Sequence, residues 1–568
     1  MDAEKPRTPL TRGPAVGVVL GTQDTSPLEF WVGVAAGQIL ELDALVEVGM
    51  ELPTSADHPP RVTFWGLVDE VRKRFEGAKF DSDAFKFADA TLPIEVAWVA
   101  HVQVIRIEPE VFVPPQPGAS VFVVRSDAFA KAMGFQDWPS RLPIGLTRTN
   151  EPVYANFDFV DGTRGAHVSI SGVSGVATKT SYATFLLYGL FHSPALGAEA
   201  VNTKAVIFNV KGEDLLWLDR PNVKVTDAVA RDYQRLGLPV GAFQSVGLYA
   251  PAKAGPGDVV PAVEGRLDKA VRPYLWTLRD FGLKRLLRFS FAGADDPRAQ
   301  LSLVTHRVEA FLVERAEATP RSVAGLEVDG QTLRSFGALV DWLSFGSRLD
   351  TICPGSASGT LDAFRRRLFG ARERIGHLIR GDDGALNKSI LWLQNQVTVI
   401  DIHALHSTAQ TFVVGAVLAE ILAHKEHEGS RPLVFVVLDE LNKYAPRQGW
   451  SPIQDVLLDI AERGRSLGLC LFGAQQTASE VERRVVTNAA VKVVGRLDAA
   501  ESERPEYAFL GRVGRLRAAL LRPGSMLVSQ PEISTPLLVR FPFPSWATRR
   551  SEAGVSSEPR QVSLFEDD

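Results

Sequence analysis

Several short segments of the chain are apolar at most positions, and each is followed by polar residues. A run of this kind is typical of a strand in a parallel sheet, because such a strand is buried on both faces. The runs predicted to be strands are residues 167–170, 204–210, 397–402, 432–438 and 469–474. Segments with helical spacing, such as residues 408–423, lie between these runs. The pattern therefore predicts an α/β fold with a parallel sheet.

The beginning of the chain has a different pattern. From residue 13 to about residue 125, short apolar and β-branched runs alternate with turns that contain Gly or Pro. Many short strands with this punctuation predict a small β-barrel. We assign residues 1–125 to the barrel, and residues 126–257 and 394–548 to two parts of one sheet domain.

Strand signals fade between residues 258 and 393, where amphipathic helical spacing dominates, as at residues 266–287 and 300–316. We interpret residues 258–393 as a helical insertion and the polar residues 549–568 as a tail too poor in apolar mass to fold alone. The densest basic patch of the chain lies in the insertion, and either it contacts DNA or it forms a solvated helix surface. Its arginines are Arg365, Arg366, Arg367, Arg372, Arg374 and Arg380.

The candidate chemistry begins at residues 166–187, AHVSISGVSGVATKTSYATFLL. The order is a strand, a loop rich in Gly and Ser, and a helix. A helix N-terminus offers unpaired N–H groups and a positive dipole end, and a glycine-bearing loop can curve around anionic oxygens. Lys179 would reach the terminal phosphates of ATP, and Thr180 would offer its hydroxyl to Mg²⁺. The predicted nucleotide-binding residues are Gly172, Ser174, Gly175, Val176, Ala177, Thr178, Lys179, Thr180 and Ser181.

This loop departs from the usual pattern G-x-x-x-x-G-K-[ST]. Thr178 stands before Lys179 in place of glycine, and the glycines fall at Gly172 and Gly175. One extra residue therefore lies in the loop. The alternative interpretation is a turn between a strand and a helix that is capped by Ser or Thr.

A second candidate segment lies far downstream, at residues 432–446, PLVFVVLDELNKYAP. Asp439 and Glu440 follow a buried strand, and the carboxyl ends of such strands are where open α/β sheets bind ligands. Asp439 would hold Mg²⁺ through water, and Glu440 would act as the general base for the attacking water. The alternative is an acidic surface turn.

Four segments together resemble the HerA branch of the HerA/FtsK ring ATPases, which move double-stranded DNA. They are ISGVSGVATKTS (170–181), LDELNKYAP (438–446), IAERGRSLGLCLFGAQQT (460–477) and TNAAVKVVGRL (487–497). The resemblance covers about residues 13–543. It implies a RecA-like P-loop ATPase core of the ASCE type with an N-terminal barrel and a helical insertion.

The resemblance also implies roles for residues and partners. Gln475 aligns with the glutamine that senses the γ-phosphate. Arg465 is the candidate arginine that would act on the nucleotide of the neighbouring subunit, although an arginine that caps a helix C-terminus is an equal alternative. The implied assembly is a homohexamer on double-stranded DNA.

The implied function is an ATP-driven DNA translocase or helicase that works with a partner nuclease in DNA end processing, repair or defence against phage. Because Thr178 departs from the family pattern, a second hypothesis is a weakly hydrolysing or inactive ring that serves as a scaffold. A DNA pump for conjugation or packaging is a third. The sequence contains no PD-x-K or HNH nuclease pattern, so cutting would require the partner.

Composition constrains these hypotheses only loosely. The chain has 568 residues, of which 45% are hydrophobic and 23% charged, which is ordinary for globular proteins. A net charge of −5 leaves a DNA pump possible, because a ring needs basic residues only where its channel meets phosphates. Cys353 and Cys470 lack the spacing of metal ligands.

We expect a cytoplasmic protein without a membrane anchor. The first residues lack the apolar segment of a secretory signal. The longest apolar helical run, residues 411–422, is interrupted by Glu420 and is shorter than the roughly 20 residues that cross a bilayer.

The end of the chain carries one short motif. Residues 561–565, from Gln561 to Phe565, read QVSLF. This resembles the Q-x-x-L-F motif with which bacterial replication proteins bind the sliding clamp, and it predicts the clamp as a further partner.

Overall fold

The computed structural model describes residues 13–53, 60–76, 80–89, 95–173, 179–253, 255, 259–266, 268–291 and 300–555.

Six antiparallel strands near the beginning of the chain close into a barrel in the order β1-β2-β5-β4-β3-β6. The strands are β1 (Gly17–Val19), β2 (Glu29–Val34), β3 (Leu45–Glu51), β4 (Arg61–Glu76), β5 (Glu95–Glu108) and β6 (Ser120–Val123), and helix α1 (Asp83–Ala88) lies between β4 and β5. Apolar side chains such as Val32, Phe64 and Val102 fill the interior. Because the barrel is closed, each strand is hydrogen-bonded to a neighbouring strand on both of its edges. The predicted N-terminal barrel is confirmed.

The rest of the chain is organised around a sheet of 12 strands in the order β12-β11-β17-β10-β18-β19-β9-β20-β21-β22-β7-β8. Its strands are β7 (Arg141–Leu146), β8 (Pro152–Asn156), β9 (Val168–Ser171), β10 (Lys204–Asn209), β11 (Val246–Pro251), β12 (Val271–Tyr274), β17 (Val397–Asp401), β18 (Val434–Leu438), β19 (Leu469–Gln475), β20 (Val491–Val494), β21 (Ser525–Gln530) and β22 (Ile533–Arg540). Pairing is parallel from β12 to β20 and antiparallel from β20 to β8. Two small sheets pair β13 (Trp276–Thr277) with β16 (Ile379–Arg380), and β14 (Leu326–Val328) with β15 (Gln331–Leu333).

Helices cover both faces of this sheet. They are α2 (Asp127–Ala132), α3 (Lys179–His192), α4 (Asp227–Arg235), α5 (Leu278–Leu283), α6 (Gln300–Ala318), α7 (Phe336–Ser344), α8 (Arg348–Ile352), α9 (Ser358–Ile375), α10 (Ser407–Glu428), α11 (Leu441–Tyr444), α12 (Gln454–Leu467), α13 (Arg483–Thr487), α14 (Ala499–Ser502) and α15 (Gly511–Ala518). Alternate residues of β10 belong to different cores, Val206 and Phe208 to one and Ala205 and Ile207 to the other. The central strands are therefore buried on both faces, as their continuous apolar sequences predict.

One local prediction in the helical insertion is wrong. Residues 266–287 do not form one helix, because residues 271–274 pair in parallel with β11 as the edge strand β12, and the helix is limited to α5. The long-range pairing overrides the helical spacing. Residues 300–316 do lie in a helix, α6.

The apolar run at residues 411–422 is part of a longer helix than predicted. By length and composition α10 is the one helix among the described residues that could cross a membrane, and 67% of its apolar window is buried inside the protein. It packs against α9 and α12. At Gly415 an added Cβ would lie 2.5 Å from the Phe289 ring, so this position admits no larger side chain without displacing the ring.

Candidate functional site

The order of the sheet brings the candidate segments together. Strand β19, which ends at Gln475, lies between β9, which leads into the predicted phosphate loop, and β18, which leads to Asp439. Gln475 is in register with Ser171, and Leu438 with Gly473. Because these strands are parallel, the residues that follow them meet at one edge of the sheet. We call it the carboxyl edge.

The centre of the predicted phosphate loop lies outside the described residues. The roles of Ser174, Gly175, Val176, Ala177 and Thr178 therefore remain predictions.

The structure describes the residues on both sides of the predicted phosphate loop. Gly172 donates its N–H to the Gln475 carbonyl oxygen at 3.2 Å, and Val173 donates to that of Arg496 at 2.8 Å. On the other side, α3 begins at Lys179, and Ser181 lies partly buried in its first turn. The loop thus leaves the sheet at the carboxyl edge and enters a helix, as a phosphate loop must.

Lys179 is buried at the start of α3. Its ammonium donates a hydrogen bond to the carbonyl oxygen of Gly172 at 2.6 Å, so the side chain folds back over the loop. Burial lowers the pKa of Lys179 to about 8. An anion beside the ammonium would raise that pKa again, so a bound phosphate and the charge of Lys179 would stabilise each other.

Thr180 and Asp439 are in direct contact although they are far apart in the sequence. The Thr180 hydroxyl donates to Oδ2 of Asp439 at 2.7 Å, and Asp439 is only 1% exposed. The Lys211 ammonium donates to the same oxygen at 2.7 Å. The buried carboxylate is thus held by a hydroxyl group and an ammonium group.

Glu440 has an unusual backbone conformation. Its φ is +57° and its ψ is 44°, which is the left-handed region that non-glycine residues seldom adopt. Its backbone N–H donates to Oδ1 of Asp439 at 2.8 Å, and its carboxylate forms an ion pair with Lys443. A residue held in such a conformation next to a buried acid is typical of a functional site.

Gln475 is fully buried at the end of β19. Its amide nitrogen donates to the hydroxyl groups of Ser169 and Ser171, at 2.8 and 2.9 Å. Its amide oxygen has no hydrogen-bond partner among the residues that the structure describes. Buried polar atoms are nearly always paired, and an amide oxygen can pair only with a donor such as a water molecule.

Arg465 does not lie at the carboxyl edge of its own chain. It projects from the end of α12, and its guanidinium donates to the carbonyl oxygens of Gly162 at 3.3 Å and Thr163 at 2.9 Å. Those residues precede β9, at the opposite edge of the sheet. Arg465 is exposed, and its action on a neighbouring subunit stays a prediction.

The arginines of the insertion divide into two groups. Arg365 pairs with Asp362 and Asp350, Arg372 with Asp341, and Arg380 with Asp382. Within the described part of the chain, the other three form no ion pair and remain candidates for DNA contact: Arg366, Arg367 and Arg374.

The sequence interpretation missed the role of the turn after β10. From the sequence alone, residues 211–214 predict an ordinary polar turn, with contact to Mg²⁺ or a neighbouring subunit as the alternative, yet the Lys211 ammonium reaches Asp439. Two side chains at the ends of neighbouring strands hold the turn, since Asn209 donates to Oδ1 of Asp401 and to the carbonyl oxygen of Gly212. The available signal was the polar sequence that directly follows a buried strand.

The residues present fit Mg²⁺ that arrives with a nucleotide. A hydroxyl oxygen of Thr180 and the carboxylate of Asp439 are oxygen ligands of the kind that Mg²⁺ prefers, and the metal normally keeps several waters and phosphate oxygens. Within the described ranges, no group of three or more His, Cys, Asp or Glu side chains could hold a metal ion alone. The arrangement therefore suits a metal that is bound largely by the phosphates of its nucleotide.

No family model matches this sequence, and no curated protein is similar to it. Several solved structures have a similar backbone fold. One is the unbound bacterial conjugative coupling protein TrwBdeltaN70, which is 12% identical with a TM-score of 0.47. The match covers 76% of this chain and 95% of that one. The plasmid coupling protein TrwB in complex with ADP and Mg²⁺ is 14% identical, with a TM-score of 0.45 and coverage of 73% and 92%. VirB4 of Thermoanaerobacter pseudethanolicus is 15% identical, with a TM-score of 0.42 and coverage of 71% and 96%. Similarities at this level assign neither a family nor an activity to this chain.

Proposed function

We propose that this protein is an ATPase of the HerA type that hydrolyses ATP to move double-stranded DNA. The observation that supports the proposal most directly is the contact between Thr180 and Asp439, beside Lys179, at the carboxyl edge of a parallel sheet. These three groups come from segments separated by about 259 positions. A lysine, a hydroxyl and a buried carboxylate at one sheet edge are the groups that bind a triphosphate and its metal.

Each residue has a separate role in this proposal. The Lys179 ammonium and the N–H groups at the start of α3 bind the terminal phosphates. The Thr180 hydroxyl and the Asp439 carboxylate hold Mg²⁺, which offsets the phosphate charge when it is bound. Gln475 is the proposed sensor of the γ-phosphate, and only its amide nitrogen, which now donates to Ser169 and Ser171, can donate to a phosphate oxygen.

Glu440 is the proposed general base, and it accepts the proton of the attacking water. In the present structure its carboxylate is paired with Lys443. In this proposal the Glu440 carboxylate separates from Lys443 so that it can face the attacking water.

The wider assembly follows from the family resemblance. We propose a homohexamer in the cytoplasm in which Arg465 acts on the nucleotide of the next subunit, with Arg366, Arg367 and Arg374 as candidate contacts to DNA phosphates. A partner nuclease in end processing, repair or phage defence is part of the proposal. The proposal also includes binding of the sliding clamp by residues 561–565, which lie outside the described residues.

Steady-state ATP hydrolysis with and without duplex DNA tests the proposal. Wild type should show turnover that DNA stimulates, and Lys179→Ala or Glu440→Gln should lower kcat by at least about 10²-fold, the usual contribution of a general base. Lys269→Ala is a matched control, because this lysine is exposed and lies outside the site. Turnover that persists in both site variants would contradict the proposal.

A scaffold is the second candidate function, and the observation that favours it is Thr178 in place of the usual glycine. A scaffold should bind ATP and assemble, yet hydrolyse negligibly with or without DNA. The mass of the assembly, measured with and without ATP and Mg²⁺ beside the hydrolysis assay, separates this outcome from a motor.

A further inference from the structure

The turn after β10 supplies the charge that balances Asp439. The Lys211 ammonium lies 2.7 Å from Oδ2 of Asp439. The two side chains differ in burial, because Lys211 is 44% exposed whereas Asp439 is 1% exposed. A carboxylate at that depth without partners would be costly, and Asp439 has three: the Thr180 hydroxyl, the Glu440 N–H and, from the solvent side, the Lys211 ammonium.

The position of Lys211 is set by contacts on both sides of it. Before it, the Asn209 amide nitrogen donates to the Gly212 carbonyl oxygen at 2.6 Å and to Asp401 at 2.8 Å. After it, the Glu213 carboxylate accepts N–H groups from Gly265 at 2.7 Å and from residue 266 at 3.1 Å.

The backbone of this turn is specialised as well. Gly212 has a φ of +56°, a conformation that glycine adopts at little cost. The turn is thus tied at both ends and shaped to point one lysine at one carboxylate. Its geometry distinguishes Lys211 from a surface lysine that meets an acid by chance.

Lys211 and Thr180 share one carboxylate oxygen of Asp439. Oδ2 of Asp439 accepts both the Thr180 hydroxyl and the Lys211 ammonium. The same hydroxyl and carboxylate are the proposed ligands of Mg²⁺. An ammonium and a divalent cation beside the same carboxylate oxygen repel each other, so the two cations exclude one another there.

We propose that Lys211 is a built-in counter-ion that competes with Mg²⁺ for Asp439. Without Mg²⁺ its ammonium balances the charge of Asp439, which stays in contact with Thr180. With Mg²⁺ bound, the Lys211 ammonium would lie away from Oδ2 of Asp439. Free Mg²⁺ then binds weakly, and the site favours metal that arrives with a nucleotide, whose phosphates supply further ligands. This inference rests on the proposed function, and it assigns regulation of metal loading to Lys211.

The test is the Mg²⁺ dependence of nucleotide binding, measured with the full chain and a fluorescent ADP analogue. Lys211→Met removes the competing charge while keeping the aliphatic stem. The Mg²⁺ concentration at half-maximal binding should fall about tenfold, the size expected for loss of one charged hydrogen bond. Lys211→Arg keeps the charge and should leave that midpoint near the wild-type value.

Lys443→Met serves as the matched control, because it removes an equal charge from the neighbouring acid Glu440 and not from Asp439. Its midpoint should change clearly less than that of Lys211→Met. An unchanged or raised midpoint in Lys211→Met overturns the inference, as does an equal fall in Lys443→Met. If wild type binds no ADP at any Mg²⁺ concentration, the proposed function fails as well, so the two failures are distinguishable.

Discussion

Two buried aspartates at the same sheet edge have very different surroundings. Asp401 ends β17 and Asp439 follows β18, and β10 lies between these strands. Asp401 is 0% exposed and accepts hydrogen bonds from the Asn209 amide at 2.8 Å and His403 Nδ1 at 2.9 Å. Asp439 is equally buried, but its partners are the Thr180 hydroxyl and the Lys211 ammonium.

The difference lies in where the partners belong. Asp401 contacts Asn209, which is buried and tied to Gly212, and His403, which is 26% exposed, and burial raises the pKa of Asp401. Asp439 contacts the first turn of α3, directly after the predicted phosphate loop, and Lys211 reaches Asp439 from solvent. Burial of an acid at a sheet edge therefore does not identify a functional residue, whereas contact with the predicted phosphate-binding helix supports one.

The largest expected effect concerns Asp439. Asp439→Asn removes the charge that would hold Mg²⁺ but keeps an oxygen that can accept from Thr180 and Lys211. We expect the fold to persist and kcat for DNA-stimulated ATP hydrolysis to fall by roughly 10² to 10³-fold, as when a preorganised charge-stabilising group is lost. Circular dichroism with steady-state kinetics checks both statements, and near-normal turnover would remove Asp439 from the site.

A second prediction concerns a closed contact at the opposite edge of the sheet. His167 precedes β9, is buried, and accepts the Leu471 N–H on Nδ1 at 2.9 Å. Burial lowers its pKa to about 4 from the ordinary 6.5. Protonation of Nδ1 would break the contact with Leu471, so the folded state favours neutral His167.

The sign of the pH effect follows from that lowered pKa. The stability contributed by neutral His167 is fully present above pH 6.5 and is lost as pH falls towards 4. Over this window the free energy of unfolding should fall by about 3 kcal/mol through this residue, since one pKa unit corresponds to about 1.4 kcal/mol. His167→Asn tolerates the local φ of +68° and has no titrating ring. Urea unfolding between pH 7 and 4 should therefore be less pH-dependent in this variant, and identical profiles would refute the assignment.

The smallest expected effect completes the comparison. Asp401→Ala leaves the Asn209 amide without its buried acceptor and should lower the free energy of unfolding by about 1 to 3 kcal/mol. Turnover per folded molecule should stay within a few-fold of wild type, because Asp401 contacts no proposed ligand. A folded Asp401→Ala protein that hydrolyses no ATP would erase the distinction between the two acids.

Much of the architecture was predictable from local sequence. Continuous apolar runs predicted the buried strands, and short alternating runs predicted the barrel, because both signals arise within a few residues. The candidate residues Lys179, Thr180, Asp439 and Gln475 directly follow such strands or the loop between a strand and a helix. Their positions at a shared edge agree with the predicted parallel sheet, whereas their roles in hydrolysis stay predictions.

Other features depended on distant parts of the chain. Residues 271–274 form a strand because β11 offers them a parallel partner, which helical spacing at residues 266–287 could not reveal. The apolar helix α10 is long because it is covered by α9 and α12. In both cases the local structure depends on packing or pairing with an element that is distant in the sequence.

By itself, the sequence determined which segments become strands and which polar residues stand at their ends, since these depend on apolar spacing and turn composition. Only the tertiary structure decided which of those polar residues meet. Lys211 and Asp439 are 228 positions apart, and they pair because β10 and β18 are neighbours in the sheet. The order of strands brings Asp439, and not Asp401, beside the start of α3, and no local pattern carries that order.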